Sequence, residues 1–131
     1  LSPRASQYMP PEVSRSQRYN ELAEVYTWAL LFWEITSGQR PYVGINPKTF
    51  DDVVCEKAFR PDMSMCRNWN APLKALIDKC WSNDIATRPS FNEVVKELSE
   101  IEQEMFGGNV EDIELQVGWV GTVWHDVATT T

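Results

Sequence analysis

Histidine is almost missing from this chain, with His125 alone among 131 residues. Its three cysteines, Cys55, Cys66 and Cys80, show no C-x-x-C spacing. A zinc site needs four Cys or His ligands at characteristic spacings, so none is expected. Unpatterned cysteines fit a reducing compartment, and an intracellular, cytoplasmic location is expected. Long apolar runs are also absent. The longest, Val25 to Ile35, is broken by Thr27 and Glu34 and is far too short for a bilayer. The first residues, Leu1-Ser2-Pro3-Arg4-Ala5, hold neither an apolar signal region nor an initiating Met, which suggests a start inside a longer protein. A basic patch is missing too. The net charge is -7, and residues 93–114 account for it, with eight acids against Lys96; the remainder is neutral. Nucleic acid and anionic membrane are therefore not expected partners.

What is present describes one small globular domain. Hydrophobic residues make up 43% and charged residues 24%, so the chain has enough apolar surface for a core. Eight prolines punctuate it, and six tryptophans offer bulky packing points. Residues 1–19, with Pro3, Pro10 and Pro11, read as loop. A helix is expected from about Asn20, with Asn20 as cap and Gly38 and Pro41 beyond its end. Its residues Val25 to Ile35 are apolar on every side, which requires enclosure by other elements. A short helix is expected to open at Asn46-Pro47, with Phe50, Val53 and Val54 on one face. Residues 58–69 are irregular. Leu73, Leu76, Ile77, Cys80 and Trp81 form one stripe of a helix over Ala71–Trp81. Ser90 and Glu93 make a capping box for a last helix, with Phe91, Val94, Val95, Leu98 and Ile101 on one face and Glu97, Glu100 and Glu104 toward solvent. Gly107-Gly108 stops it. The tail reads as a weak hairpin or disorder.

Five short motifs then stand in order. Tyr8-Met9-Pro10-Pro11-Glu12-Val13 is close to the Y-M-A-P-E-V that closes a protein kinase activation segment. Ala23-Glu24-Val25-Tyr26-Thr27-Trp28 with Leu30-Leu31-Phe32-Trp33-Glu34-Ile35 resembles the D-V-Y-S-F-G…W-E-I helix of that family. Ser37-Gly38-Gln39-Arg40-Pro41-Tyr42 resembles its T-G-x-x-P-Y turn. Lys79-Cys80-Trp81 and Thr87-Arg88-Pro89-Ser90-Phe91 match its K-C-W…R-P-S-F pair. Across roughly residues 4 to 105 the chain is similar to a eukaryotic-type protein kinase domain. The wording is most like the tyrosine-kinase-like group of serine/threonine kinases.

The resemblance implies a mainly α fold, the helical C-terminal lobe of the protein kinase-like fold without its N-terminal β lobe. Residues 1–105 would be a partial kinase domain and 106–131 a tail. It implies a structural ion pair between Glu12 and Arg88, and a guanidinium fork is well suited to a carboxylate that must be buried. Arg4, Ala5, Ser6, Gln7 and Tyr8 would form the P+1 loop, which touches the substrate residue after the phosphorylated one. Glu24 stands where the family's helix carries an aspartate that anchors the catalytic loop. The 131 residues contain no glycine-rich phosphate loop, no V-A-I-K lysine, no H-R-D and no D-F-G. No catalytic residue and no cofactor or metal site is thus expected in this chain, and ATP and magnesium are implied only for the complete family domain. The implied partners are the N-terminal part of its own kinase domain and a protein substrate or signalling partner. Arg4-Ala5 replaces a Gly-Thr or Gly-Ser, Glu24 an aspartate, Pro10 an alanine and Ala29 a glycine. Two functional readings follow: part of a kinase that moves the ATP γ-phosphoryl group to Ser or Thr, or a pseudokinase or protein–protein interaction module on the same lobe.

Overall fold

A computed structural model describes residues 6–107; Arg4, Ala5 and the tail from residue 108 onward lie outside the described residues. The chain separates between Glu97 and Leu98 into two units, and every feature discussed below as a site belongs to the first. Among the described residues all regular structure is helical, the mainly α lobe that the motifs imply.

Within the stretch 1–19, expected as loop, the described residues include a helical turn, α1 (Pro11–Ser14). Pro11 opens it, because its fixed φ suits the first turn and its missing N–H would be unpaired there. Helix α2 spans Leu22–Ser37, and the Asn20 side chain accepts from the Leu22 N–H at 3.0 Å. It ends at Gly38, whose φ of 70° is left-handed and whose N–H donates to Glu34 O at 2.9 Å. Glycine takes that conformation without a Cβ clash. Val25, Tyr26, Ala29, Leu30 and Trp33 are buried, whereas Leu31 is 43% and Ile35 78% exposed. The expected enclosure on every side is therefore corrected. An all-round apolar pattern has no period that says which side meets protein.

Asn46 closes a turn by accepting from the Lys48 N–H at 2.9 Å, but the helix begins later than expected. It is a π-helix over Asp51–Glu56, with the Lys57 N–H donating to Asp52 O at 3.0 Å. Such wide turns are rare and short, and hydrophobic periodicity does not distinguish them from α-helix. A 3₁₀ turn, Met63–Met65, interrupts the stretch expected to be irregular and is capped by Asp62, which accepts from the Ser64 N–H at 2.8 Å.

Helix α3 (Ala71–Cys80) follows Asn70, whose side chain accepts from the Leu73 N–H at 3.0 Å. Leu73, Leu76, Ile77, Cys80 and Trp81 are all buried, as their spacing predicts, and α3 packs against α2. Each fully buried Leu or Ile contributes about 1.5–3 kcal/mol. After a 3₁₀ turn at Ile85–Thr87 comes α4 (Phe91–Phe106). Its capping box is complete: Ser90 N–H donates to Glu93 Oε2 at 2.7 Å, and Glu93 N–H donates to Ser90 Oγ at 3.3 Å. Val94 is buried, but Phe91 and Val95 are 38% and 62% exposed, so the expected apolar face is narrower than drawn. Glu97 is also not simply solvated, because Lys79 Nζ donates to both its oxygens at 2.9 and 3.0 Å. A partner in another helix is invisible to local periodicity. No helix of the described residues is long and apolar enough to cross a membrane.

Candidate functional site: a buried arginine clamp and an adjoining groove

Glu12 lies in the single turn α1, immediately after two prolines that leave the backbone little freedom. Arg88 precedes Pro89 and is extended, with φ -70° and ψ 131°. That conformation is the one favoured before proline. The structure brings the two side chains together across 76 residues of sequence. Arg88 Nη1 donates to Glu12 Oε1 at 2.6 Å and Nη2 to Oε2 at 3.0 Å, a two-pronged pair with both residues only 4% exposed. Two further bonds are made, from Nε to Ser82 O at 2.9 Å and from Nη1 to Leu22 O at 3.2 Å, four donated bonds in all. These bonds make burial tolerable, since a desolvated charge without partners is strongly unfavourable. One guanidinium thereby joins α1, the start of α2 and the turn after α3.

One participant, Arg60, is not among the residues the motifs single out. Arg60 donates from Nε to Trp81 O at 2.8 Å and from Nη1 to Val54 O at 2.9 Å, and it also bonds Asn83. Its guanidinium carbon sits 5.1 Å from the centre of the Tyr26 ring, and that of Arg88 sits 5.0 Å from the same ring. Tyr26 is fully buried, and burial pushes its hydroxyl above the ordinary phenol value. The only sequence signal for Arg60 is that it precedes Pro61. Arg40 also precedes a proline and is exposed, so that signal alone does not select.

Of the expected P+1 residues, Arg4 and Ala5 lie outside the described residues. Ser6 is exposed; Gln7 and Tyr8 are half-buried. Tyr8 is tied to α2 twice: its hydroxyl donates to Glu34 Oε2 at 2.5 Å, and its carbonyl accepts from Thr27 Oγ1 at 2.9 Å. Glu24 is exposed on the same helix. Between them opens a groove of about 430 Å³, lined by Tyr8, Met9, Tyr19, Trp28 and Leu31 among others, with Glu24 as the one charged lining residue among those described. The clamp residues are not part of this lining. Aromatic rings continue beyond the groove: Trp28 stacks on Phe32 at 5.2 Å, and Phe32 on Trp69 at 5.5 Å.

A helical lobe held by a buried Glu12–Arg88 pair defines a class, and sequence comparison specifies it. Residues 2–98 match the family described as protein tyrosine and serine/threonine kinase, and the chain belongs to that family. The matched stretch is its C-terminal lobe. Over 97 residues, 72% of this chain, it is 38% identical to a dual specificity protein kinase, shkE, of Dictyostelium discoideum, covering 13% of that protein. It is 32% identical over 98 residues, 75% of this chain and 17% of the relative, to the serine/threonine-protein kinase STY17 of Arabidopsis thaliana. With mitogen-activated protein kinase kinase kinase 7 of Bos taurus it shares 27% over 125 residues, 95% of this chain and 21% of that one. The chain thus spans only a small part of the length of the relatives it matches.

Proposed function

We propose that this chain is the helical, substrate-side part of a serine/threonine protein kinase domain of the tyrosine-kinase-like group, and that by itself it neither binds ATP nor transfers phosphate. The groove beside Glu24 carries this reading. It is an apolar cleft with a single carboxylate, suited to receive a protein segment that offers apolar side chains and free backbone N–H groups. The N-terminal part of the same kinase domain, with its catalytic loop, is the occupant this reading assigns. A triphosphate does not suit the groove, because Glu24 repels it and, among the described residues, no lysine or arginine lines the cleft. Among the described residues, no three Asp, Glu, His or Cys side chains converge to hold magnesium. Titration calorimetry of the purified chain with ATP and magnesium is expected to give no binding heat. Micromolar affinity would overturn the reading.

The same proposal assigns Arg4 to Tyr8 to substrate recognition, supported by the double attachment of Tyr8 to α2 at the groove edge. In the longer, active protein, Arg4→Gly, Ala5→Thr and Gln7→Ala together are expected to change the preference for the residue after the phosphorylated one. An unchanged preference removes the role. An intracellular location and a protein substrate belong to this reading as well.

One observation favours the pseudokinase alternative. Glu24 is a methylene longer than an aspartate would be at that place, and a displaced anchor misplaces what it holds. A protein carrying the remaining kinase parts that is inactive, and that gains phosphotransfer on Glu24→Asp, would decide for that alternative.

A further inference from the structure

Arg60 and the π-helix are used by nothing described so far, yet they are wired to the clamp. Arg60 Nη1 holds Val54 O, and the Asn83 side chain donates to Cys55 O at 2.6 Å, so two carbonyls of the π-helix are fastened to the turn after α3. Arg60 Nε holds Trp81 O in that same turn, and Arg88 Nε holds Ser82 O, the next carbonyl along. Both guanidinium groups lie over one ring, that of the fully buried Tyr26. The attraction of a cation to a ring face is strongest where water is excluded, and here it is excluded. The two arginines thus share a ring and bond consecutive carbonyls of one turn, while no hydrogen bond or ion pair among the described residues joins Arg60 to Glu12.

From this we infer that Arg60 is a positioning residue for the Glu12–Arg88 pair, acting through Tyr26 and the turn 81–83. The clamp is a two-arginine unit. It links the π-helix Asp51–Glu56 to Arg88 from within, beside the direct surface bonds of Ser14 to Asp51 and Arg15 to Glu56. Anything that shifts the π-helix shifts the hold on Arg88. This goes beyond the kinase reading and does not depend on it, since every group named lies within this chain.

The test is the hydrogen exchange of the Arg88 Nε–H, read by NMR beside the amide of buried Ile77, which reports global opening. Arg60→Met removes the charge and the four donated bonds while keeping the stem. It is expected to speed Arg88 Nε–H exchange at least about threefold relative to the Ile77 amide, the scale of coupling found between residues in one network. Arg60→Lys, a milder change that retains a cation over the ring, is expected to restore part of the protection and serves if Arg60→Met does not fold. Tyr26→Phe keeps the ring and is expected to leave the ratio unchanged. If the Arg88 and Ile77 protons speed up in proportion with both Arg60 variants, Arg60 merely adds stability and the inference is overturned.

Discussion

Arg88 ties three separated segments together, because it donates to Glu12, Leu22 O and Ser82 O while its guanidinium lies over Tyr26. Removing either member of the pair strands a buried charge. Glu12→Gln or Arg88→Ala is expected to lower stability by about 3–5 kcal/mol. Chemical denaturation of both single variants and the double variant checks this, and additive losses would show that the two side chains act independently. A second residue-scale prediction concerns Cys80, which is fully buried on α3. Burial pushes its thiol from an ordinary value of 9.0 up to about 12, with the opposing pull of Lys79 the smaller effect. The thiol is therefore neutral and shielded in the folded chain. Native protein is expected to resist alkylation at Cys80 at neutral pH and to react once denatured. The sign of the linkage follows, because the folded value is the higher one. Cys80 contributes stability below pH 9.0 that is lost as the pH rises toward about 12. A midpoint of unfolding that stays constant across that window in wild type, compared with Cys80→Ala, would contradict it.

At the scale of elements, the helix starts were the most legible feature of the sequence and the helix types the least. Asn20, Asn70 and the Ser90–Glu93 box each accept or exchange the bonds their residue types invite, because capping is a local affair of three or four residues. The π-helix at Asp51–Glu56 and the turn α1 were not legible, since both depend on what packs against them. Removing the α3 cap with Asn70→Ala is expected to reduce stability by about 1 kcal/mol, measurable by thermal denaturation. The α4 box carries a pH dependence. The Ser90 backbone N–H, followed by its hydroxyl, holds the Glu93 carboxyl below its ordinary value of 4.5. A lowered value means the carboxylate form is favoured by folding. The cap's contribution is therefore present above that value and lost as the pH falls through the lowered one. The start of α4 is expected to lose amide protection on acidification before the centre of α3 does, and equal loss at both would count against it.

At the scale of the whole molecule, one side of α2 is exposed. Leu31 and Ile35 meet solvent there, next to the groove of Tyr8, Trp28 and Glu24. Leu31→Lys and Ile35→Lys, substituted together, are expected to change the stability of this chain by no more than about 0.5 kcal/mol for each position, as exposed substitutions generally do. In a longer protein that is active as proposed, with the groove filled, the same pair is expected to abolish phosphotransfer. A large loss of melting temperature in the isolated chain would show that this side is already covered. The family, the helical class, the α3 stripe and the caps were all determined by the sequence alone, because each is set by residue type at short spacing. Family resemblance implied the Glu12–Arg88 pair, but the partners of Arg60 and Lys79 were decided only by the tertiary structure. Arg40, Arg60 and Arg88 all precede a proline, but one is exposed, one bridges the π-helix to the turn after α3, and one grips Glu12. Which carbonyl, ring or carboxylate a guanidinium meets depends on segments brought together from far along the chain, and no local pattern carries that information.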